Sequence, residues 1–197
     1  PSNCQPRGEY EPVLQLTPPQ QQQMLVAGQE WAIGPQTSLR SEFALSRMDP
    51  NRLSPLEKKD DLGAAAFLEI KQQAQLGKDS SAWKLNSSLS LEGLHRNFRT
   101  LNPYRSPEFL RDWSLADFQG KGSPPAAHEY IGHLDLTLAQ PRTGQISYQA
   151  QSFLRSTTYQ GLRQGVHWTL QPKNWDIRGK VRQLQARTAS EALLFWQ

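Results

Sequence analysis

Hydrophobicity in this chain alternates with a period of two. From Trp83 the odd positions read Trp83, Leu85, Ser87, Leu89 and Leu91, and the even positions Lys84, Asn86, Ser88, Ser90 and Glu92. Successive side chains of an extended strand point to opposite faces, so this stretch has one apolar and one polar face. A helix would scatter the same leucines around its circumference. The split recurs from His128, where Tyr130, Gly132, Leu134, Leu136 and Leu138 oppose Glu129, His133, Asp135 and Thr137. Beyond the turn Pro141-Arg142-Thr143-Gly144, Ile146, Tyr148 and Ala150 oppose Gln145, Ser147, Gln149 and Gln151. Leu162, Val166, Trp168 and Leu170 then oppose Arg163, His167 and Thr169. After Gln171-Pro172-Lys173-Asn174, Trp175, Ile177, Gly179 and Val181 oppose Asp176, Arg178 and Lys180. Consecutive segments of about ten residues joined by turn-rich links predict an all-β, antiparallel up-and-down meander.

The first half alternates less cleanly. Residues from Gln22 to Ile33 lead through Gly34-Pro35 into Gln36 to Ser46, with Leu39, Phe43 and Leu45 on one face. Longer links rich in Asn, Pro, Arg and Ser follow at 48–63 and 93–107, whereas the links at 118–127 and 140–144 look short. Three stretches also carry helix signals. Residues 64–75 open on Ala64-Ala65-Ala66 and have strong helix formers, with Asp60 or Asp61 to cap and Gly77 to stop. In 106–117, Ser106-Pro107-Glu108 has the form of an N-cap followed by Pro at the first helical position. The last dozen residues, 186–196, fit either state. Residues 1–21 read as an N-terminal extension or strand entry, and 22–197 as one sheet of eight or nine strands.

Composition excludes several functions. The net charge of +4 is spread over interleaved Lys, Arg, Asp and Glu without a run of five like charges, so no nucleic-acid partner is implied. The single cysteine, Cys4, precludes an internal disulfide or a cysteine-based zinc site. No apolar run reaches the ~18 residues of a transmembrane helix. The mean hydropathy of −0.68 does not exclude a barrel, because only alternate residues of a barrel strand face lipid. The chain opens on Pro1 and ends on Ala192-Leu193-Leu194-Phe195-Trp196-Gln197, which reads as a piece of a larger protein.

Several local patterns resemble chemistry without supporting it. His128 and His133 flank Glu129 as in a zinc-protease helix, but a separation of five places them about 140° apart on a helix and on opposite faces of a strand. Gly77-Lys78-Asp79-Ser80 and Gly120-Lys121-Gly122-Ser123 lack the earlier glycine of a phosphate loop. Asp60-Asp61 beside Lys58-Lys59 reads as a solvated charge cluster. His95 and His167 would need a serine and a carboxylate converging on them to make a hydrolase. The sequence therefore implies no enzyme, no catalytic or metal-binding residue and no cofactor.

Further stretches carry a resemblance. Trp83-Lys84-Leu85-Asn86, then Gly93-Leu94-His95-Arg96-Asn97-Phe98-Arg99, Asn102-Pro103-Tyr104-Arg105, Glu108-Phe109 and Arg111-Asp112-Trp113, with Asp49-Pro50-Asn51-Arg52 after Ala44-Leu45-Ser46, are similar to large outer-membrane β-barrel proteins of Gram-negative bacteria. The likeness runs from about Gln22 onward. It implies a transmembrane β-barrel wall, favours strand at 64–75 and gives Trp83, Trp168 and Trp175 the place of interfacial aromatics. It implies outer-membrane lipid as a partner, together with the remaining barrel strands or other envelope proteins, and a structural or transport role as channel, transporter or assembly component. The polar rows Glu129, His133, Asp135 and Asp176, Arg178, Lys180 would then face the lumen. Two other readings stay open: a soluble, secreted or cell-surface β-sandwich that binds a ligand and buries its apolar face under a second sheet, and an outer-membrane hydrolase.

Overall fold

The computed structural model describes residues 18–54, 61–78, 82–115, 126–156, 158–171 and 175–188, and the backbone of 192–196. Among the described residues nine strands follow one another in chain order: β1 (Gln21–Gly34), β2 (Thr37–Asp49), β3 (Leu62–Leu76), β4 (Trp83–Leu94), β5 (Glu129–Gln140), β6 (Gly144–Arg155), β7 (Tyr159–Leu170), β8 (Ile177–Thr188) and β9 (Ala192–Trp196). Each pairs antiparallel with the next, in one open sheet whose edges are β1 and β9. This is the predicted all-β meander.

Register fixes which side chains share a face, because directly opposed residues of an antiparallel pair point the same way. Leu91 pairs with Gly132, Leu89 with Leu134, Leu85 with Leu138, Leu138 with Ile146 and Ile146 with Trp168. These rows form the apolar face, which Leu45, Leu68 and Ile70 continue across β2 and β3. Ser90 pairs with His133, Asp135 with Gln149 and His167 with Lys180 on the polar face.

The helix signals resolve in three ways. Residues 64–75 lie wholly within β3, where cross-strand pairing on both sides overrides their helix propensity. Ser106-Pro107 does not start a helix: the peptide N–H of Phe109 donates to the Ser106 carbonyl in a turn, and only Phe109–Asp112 (α1) is helical, with Glu108 at its N-cap. The final stretch is strand, in β8 and β9. The short link expected at 118–127 is also corrected. It falls within 95–128, which joins β4 to β5 and contains no strand among its described residues.

Both long links, 50–61 and 95–128, therefore leave the same end of the sheet. The opposite end is closed only by the short links 35–36, 77–82, 141–143 and 171–176. Cys4, Gly120-Lys121-Gly122-Ser123 and Asp60 lie outside the described residues, as do Asp79 and Ser80.

Candidate functional site

The link after β4 does not extend away from the sheet. Residues 95–115 turn back across the polar face and form a strap at its long-link end. Near β1 and β2, Gln22 Nε2 donates to the carbonyl of Thr100 (3.0 Å), and the peptide N–H of Arg99 donates to Ser46 Oγ (2.9 Å). Gly63 on β3 makes the crossing possible, since a Cβ there would lie 2.3 Å from the backbone of Phe98. Over β4 and β5 the Arg105 guanidinium donates to Glu92 Oε1 (2.5 Å) and reaches Glu129 Oε2 (3.5 Å). Glu129 also accepts from Nε of buried Arg155 (3.3 Å), its cross-strand partner.

Tyr104 donates its hydroxyl to Glu92 Oε2 (2.8 Å). Burial, with the adjoining Glu92 carboxylate accepting that proton, pushes its phenol up to about 12.

Farther along, the strap changes character. Phe109, Leu110, Trp113 and Leu115 pack on Ile131, Phe153, Tyr159, Leu184 and Ala186, which belong to the polar faces of β5–β8. Ring centroids lie 5.1 Å apart for Phe109–Phe153, 5.4 Å for Trp113–Phe153 and 5.5 Å for Phe153–Tyr159. The Tyr159 hydroxyl donates to the Trp113 carbonyl. Gly161 leaves the space for the indole, since a Cβ there would approach Trp113 to 2.8 Å. This aromatic cluster is the buried core of the described residues, and it lies on the face that is otherwise polar.

Charge divides the same face. Strands β1–β5 present Glu30, Glu42, Glu69, Glu92, Glu129 and Asp135 against Arg40, Lys71 and Lys84. Strands β6–β8 present Arg155, Arg163, Arg178, Lys180 and Arg182 without an acid. The strap carries a counter-charge to each half: Arg105 enters the acidic one, and Asp112 lies 3.6 Å from Arg163 in the basic one, where Arg111 of the strap adds a further cation.

The predicted rows are only partly brought together. Glu129, His133 and Asp135 line the polar face of β5, with His133 Nε2 3.0 Å from Asp135. Arg178 and Lys180 lie on the polar face of β8, three strands away. Asp176 precedes that strand and pairs with Arg178, whose guanidinium holds its carboxyl below the usual range. His128 lies before β5 and stacks edge-on against His95 at 4.8 Å, so it does not share a site with His133. His167 has Ser147 and Lys180 as its cross-strand neighbours, on strands whose polar face has no carboxylate to complete a triad.

The strap residues were missed in the sequence, although a signal was present. Ile131, Phe153 and Leu184 are apolar in the polar phase of their strands, while Gln164 is polar in the apolar phase. The first three lie under the strap. Gln164 is satisfied within its own face, accepting from the Tyr148 hydroxyl (3.2 Å) and donating to Gln183 (2.9 Å). No protein-family model, curated protein or solved structure matches the chain.

Proposed function

We propose that this chain forms part of the wall of an outer-membrane β-barrel, with its apolar face toward lipid and its polar face lining an aqueous lumen narrowed by the strap at 95–115. The exposed apolar face carries this reading. Leu25 is 67% exposed, Phe43 65%, Leu45 56% and Leu91 51%, and no second sheet is available among the described residues to cover them. A water-soluble monomer rarely leaves more than a few hundred Å² of contiguous apolar surface open. Lipid satisfies such a face without a second layer, which disfavours the sandwich.

Strand dimensions agree. Strands β4–β8 are each 12 residues long. At about 3.4 Å per residue and a tilt of about 45°, such a strand rises about 29 Å, close to the thickness of a hydrocarbon layer. Trp31, Trp83, Trp168 and Trp175 gather toward the short-link end, as interfacial aromatics would. One end has short turns alone, and the other carries both long links beside the short links 156–158 and 189–191, which partly follows the habit of outer-membrane barrels. Closed into a barrel by further strands pairing with edges β1 and β9, the sheet would enclose the strap and the charged rows in a polar passage, which supports a role as channel, transporter or assembly component.

The test is fractionation of the full-length product together with gel migration before and after boiling. Retention in the outer membrane after carbonate extraction, with a heat-dependent shift, is expected. A soluble product without a shift would reject the proposal and restore the secreted binding module.

A further inference from the structure

Beyond the strap, between α1 and strands β7 and β8, a cavity of about 270 Å³ is lined by Arg111, Arg163, Arg182, Asp112, Ser114 and Gln183. Three guanidiniums and a single carboxylate meet there. Asp112 neutralises them poorly: its oxygens stand 3.9 Å from Arg111 and 3.6 Å from Arg163. Arg163 is the positioned member, donating to Gln151 Oε1 (2.6 Å) with its guanidinium 5.2 Å from the Trp113 ring centroid. Arg182 makes no ion pair among the described residues, and Lys180 follows on the same face of β8. Like charges are thus assembled at one place, with a single carboxylate among them.

We propose that this groove binds a compact polyvalent oxyanion of phosphate or carboxylate type. Guanidinium groups present paired N–H donors that match two oxygens of such an anion, and charge-assisted bonds of this kind are the strong ones. The volume lies just below the ~300–1,000 Å³ of pockets for drug-sized ligands, which favours a small ion. Ser114 at the rim offers a neutral donor for a remaining oxygen. Placing the site in a lumen rests on the barrel reading, but the binding itself does not.

The experiment is calorimetric titration of the full-length protein with inorganic pyrophosphate and, separately, citrate, with chloride as control. Saturable binding of pyrophosphate, citrate or both is expected, and the comparison tells which oxyanion the groove prefers. Arg182→Gln combined with Arg111→Gln should weaken binding about ten-fold or more. Asp112→Asn should strengthen it, because the competing carboxylate is removed while the aromatic anchors stay. Arg40→Gln, in the acidic half of the face, should leave it unchanged.

No saturable binding to a protein that keeps its fold would overturn the proposal. So would an equal loss in Arg40→Gln, which would mark diffuse charge and not a site, or a weakening in Asp112→Asn. A soluble protein that still binds the anion would leave this inference standing and remove the barrel, so the two failures are distinguishable.

Discussion

The strap is held at its two ends by different physics. Over β2–β5 it is fastened by charge: Arg105 lies between Glu92 and Glu129, and Tyr104 donates to the same Glu92. Over β5–β8 it is fastened by burial: Trp113 is 1% exposed, Phe153 0% and Tyr159 2%. Partly exposed ion pairs contribute little, because the Coulomb gain is offset by desolvation and by ordering of long side chains. Arg105 also keeps a buried Nε without a partner among the described residues. Each buried aromatic, in contrast, is worth about 1.5–3 kcal/mol from area alone, with ring packing added. The aromatic end therefore supplies most of the hold, and the charged end sets where the rest of the strap lies.

The largest expected effect follows at the aromatic end. Trp113→Ala should destabilise strap docking by about 3–5 kcal/mol, the range for a buried aromatic truncated to alanine. Trypsin would report it: cleavage at Arg105 and Arg111 should accelerate strongly while cleavage within the strands does not. If Trp113→Ala left those sites as resistant as before, the burial account of the aromatic end would fail.

Backbone contact gives the next effect, at the charged end. Gly63→Ala places a methyl against the backbone of Phe98, which cannot swing aside as a side chain could, and overpacking of this kind costs about 1–3 kcal/mol. Gly34→Ala is the control, having nothing within 4 Å of the added carbon. Faster cleavage at Arg99 in Gly63→Ala alone is the expected result. Equal behaviour of the two variants would show that the strap does not rest on β3.

Arg105→Gln should cost less, about 1–2 kcal/mol, since it leaves Glu92 and Glu129 facing each other without their shared cation. Replacing Glu92 by Gln in the same chain should recover part of that loss by removing the repulsion. A double-mutant cycle on strap cleavage at Arg99 and Arg111 measures the recovery. A loss as large as that of Trp113→Ala would invert the comparison between the two ends.

These contrasts also explain what the sequence makes legible. Alternation in β4–β8 identifies both faces, because a one-residue slip would send Leu134 or Val166 to the wrong side. Strand β3 is harder: Ala64-Ala65-Ala66 suits a helix, and only pairing with β2 and β4 decides otherwise. The strap was hidden for a different reason. Its contacts join residues far apart in sequence, such as Trp113 with Tyr159 and Arg105 with Glu129, which no local window relates. What the sequence does carry is the wrong-phase residues: Phe153 and Ile131 break the polar row where something must cover them. The charge division of the polar face was likewise obscured, because the basic row of β8 and the acids of β2–β5 come together only through the strand order.

The smallest effect concerns Tyr104, and its sign follows from its proton. The phenol has a folded value of about 12, above the ordinary value of 10.0, because burial and the Glu92 carboxylate favour the neutral form. Its contribution to strap docking is thus complete below pH 10 and is lost as the pH rises through about 12, when phenolate and carboxylate repel. Tyr104 is 55% exposed, so solvent screens much of this. Tyr104→Phe should abolish the alkaline loosening without affecting the aromatic end. Hydrogen exchange at the backbone of 98–105 and 109–115, followed from pH 9 to 12 against Tyr104→Phe at each pH, separates the two regions and cancels the intrinsic rise in exchange rate. Loosening confined to 98–105 would confirm that the strap's ends release independently. Simultaneous loosening of both would mean that the strap undocks as one unit and that the charged end governs more than its share of contacts suggests.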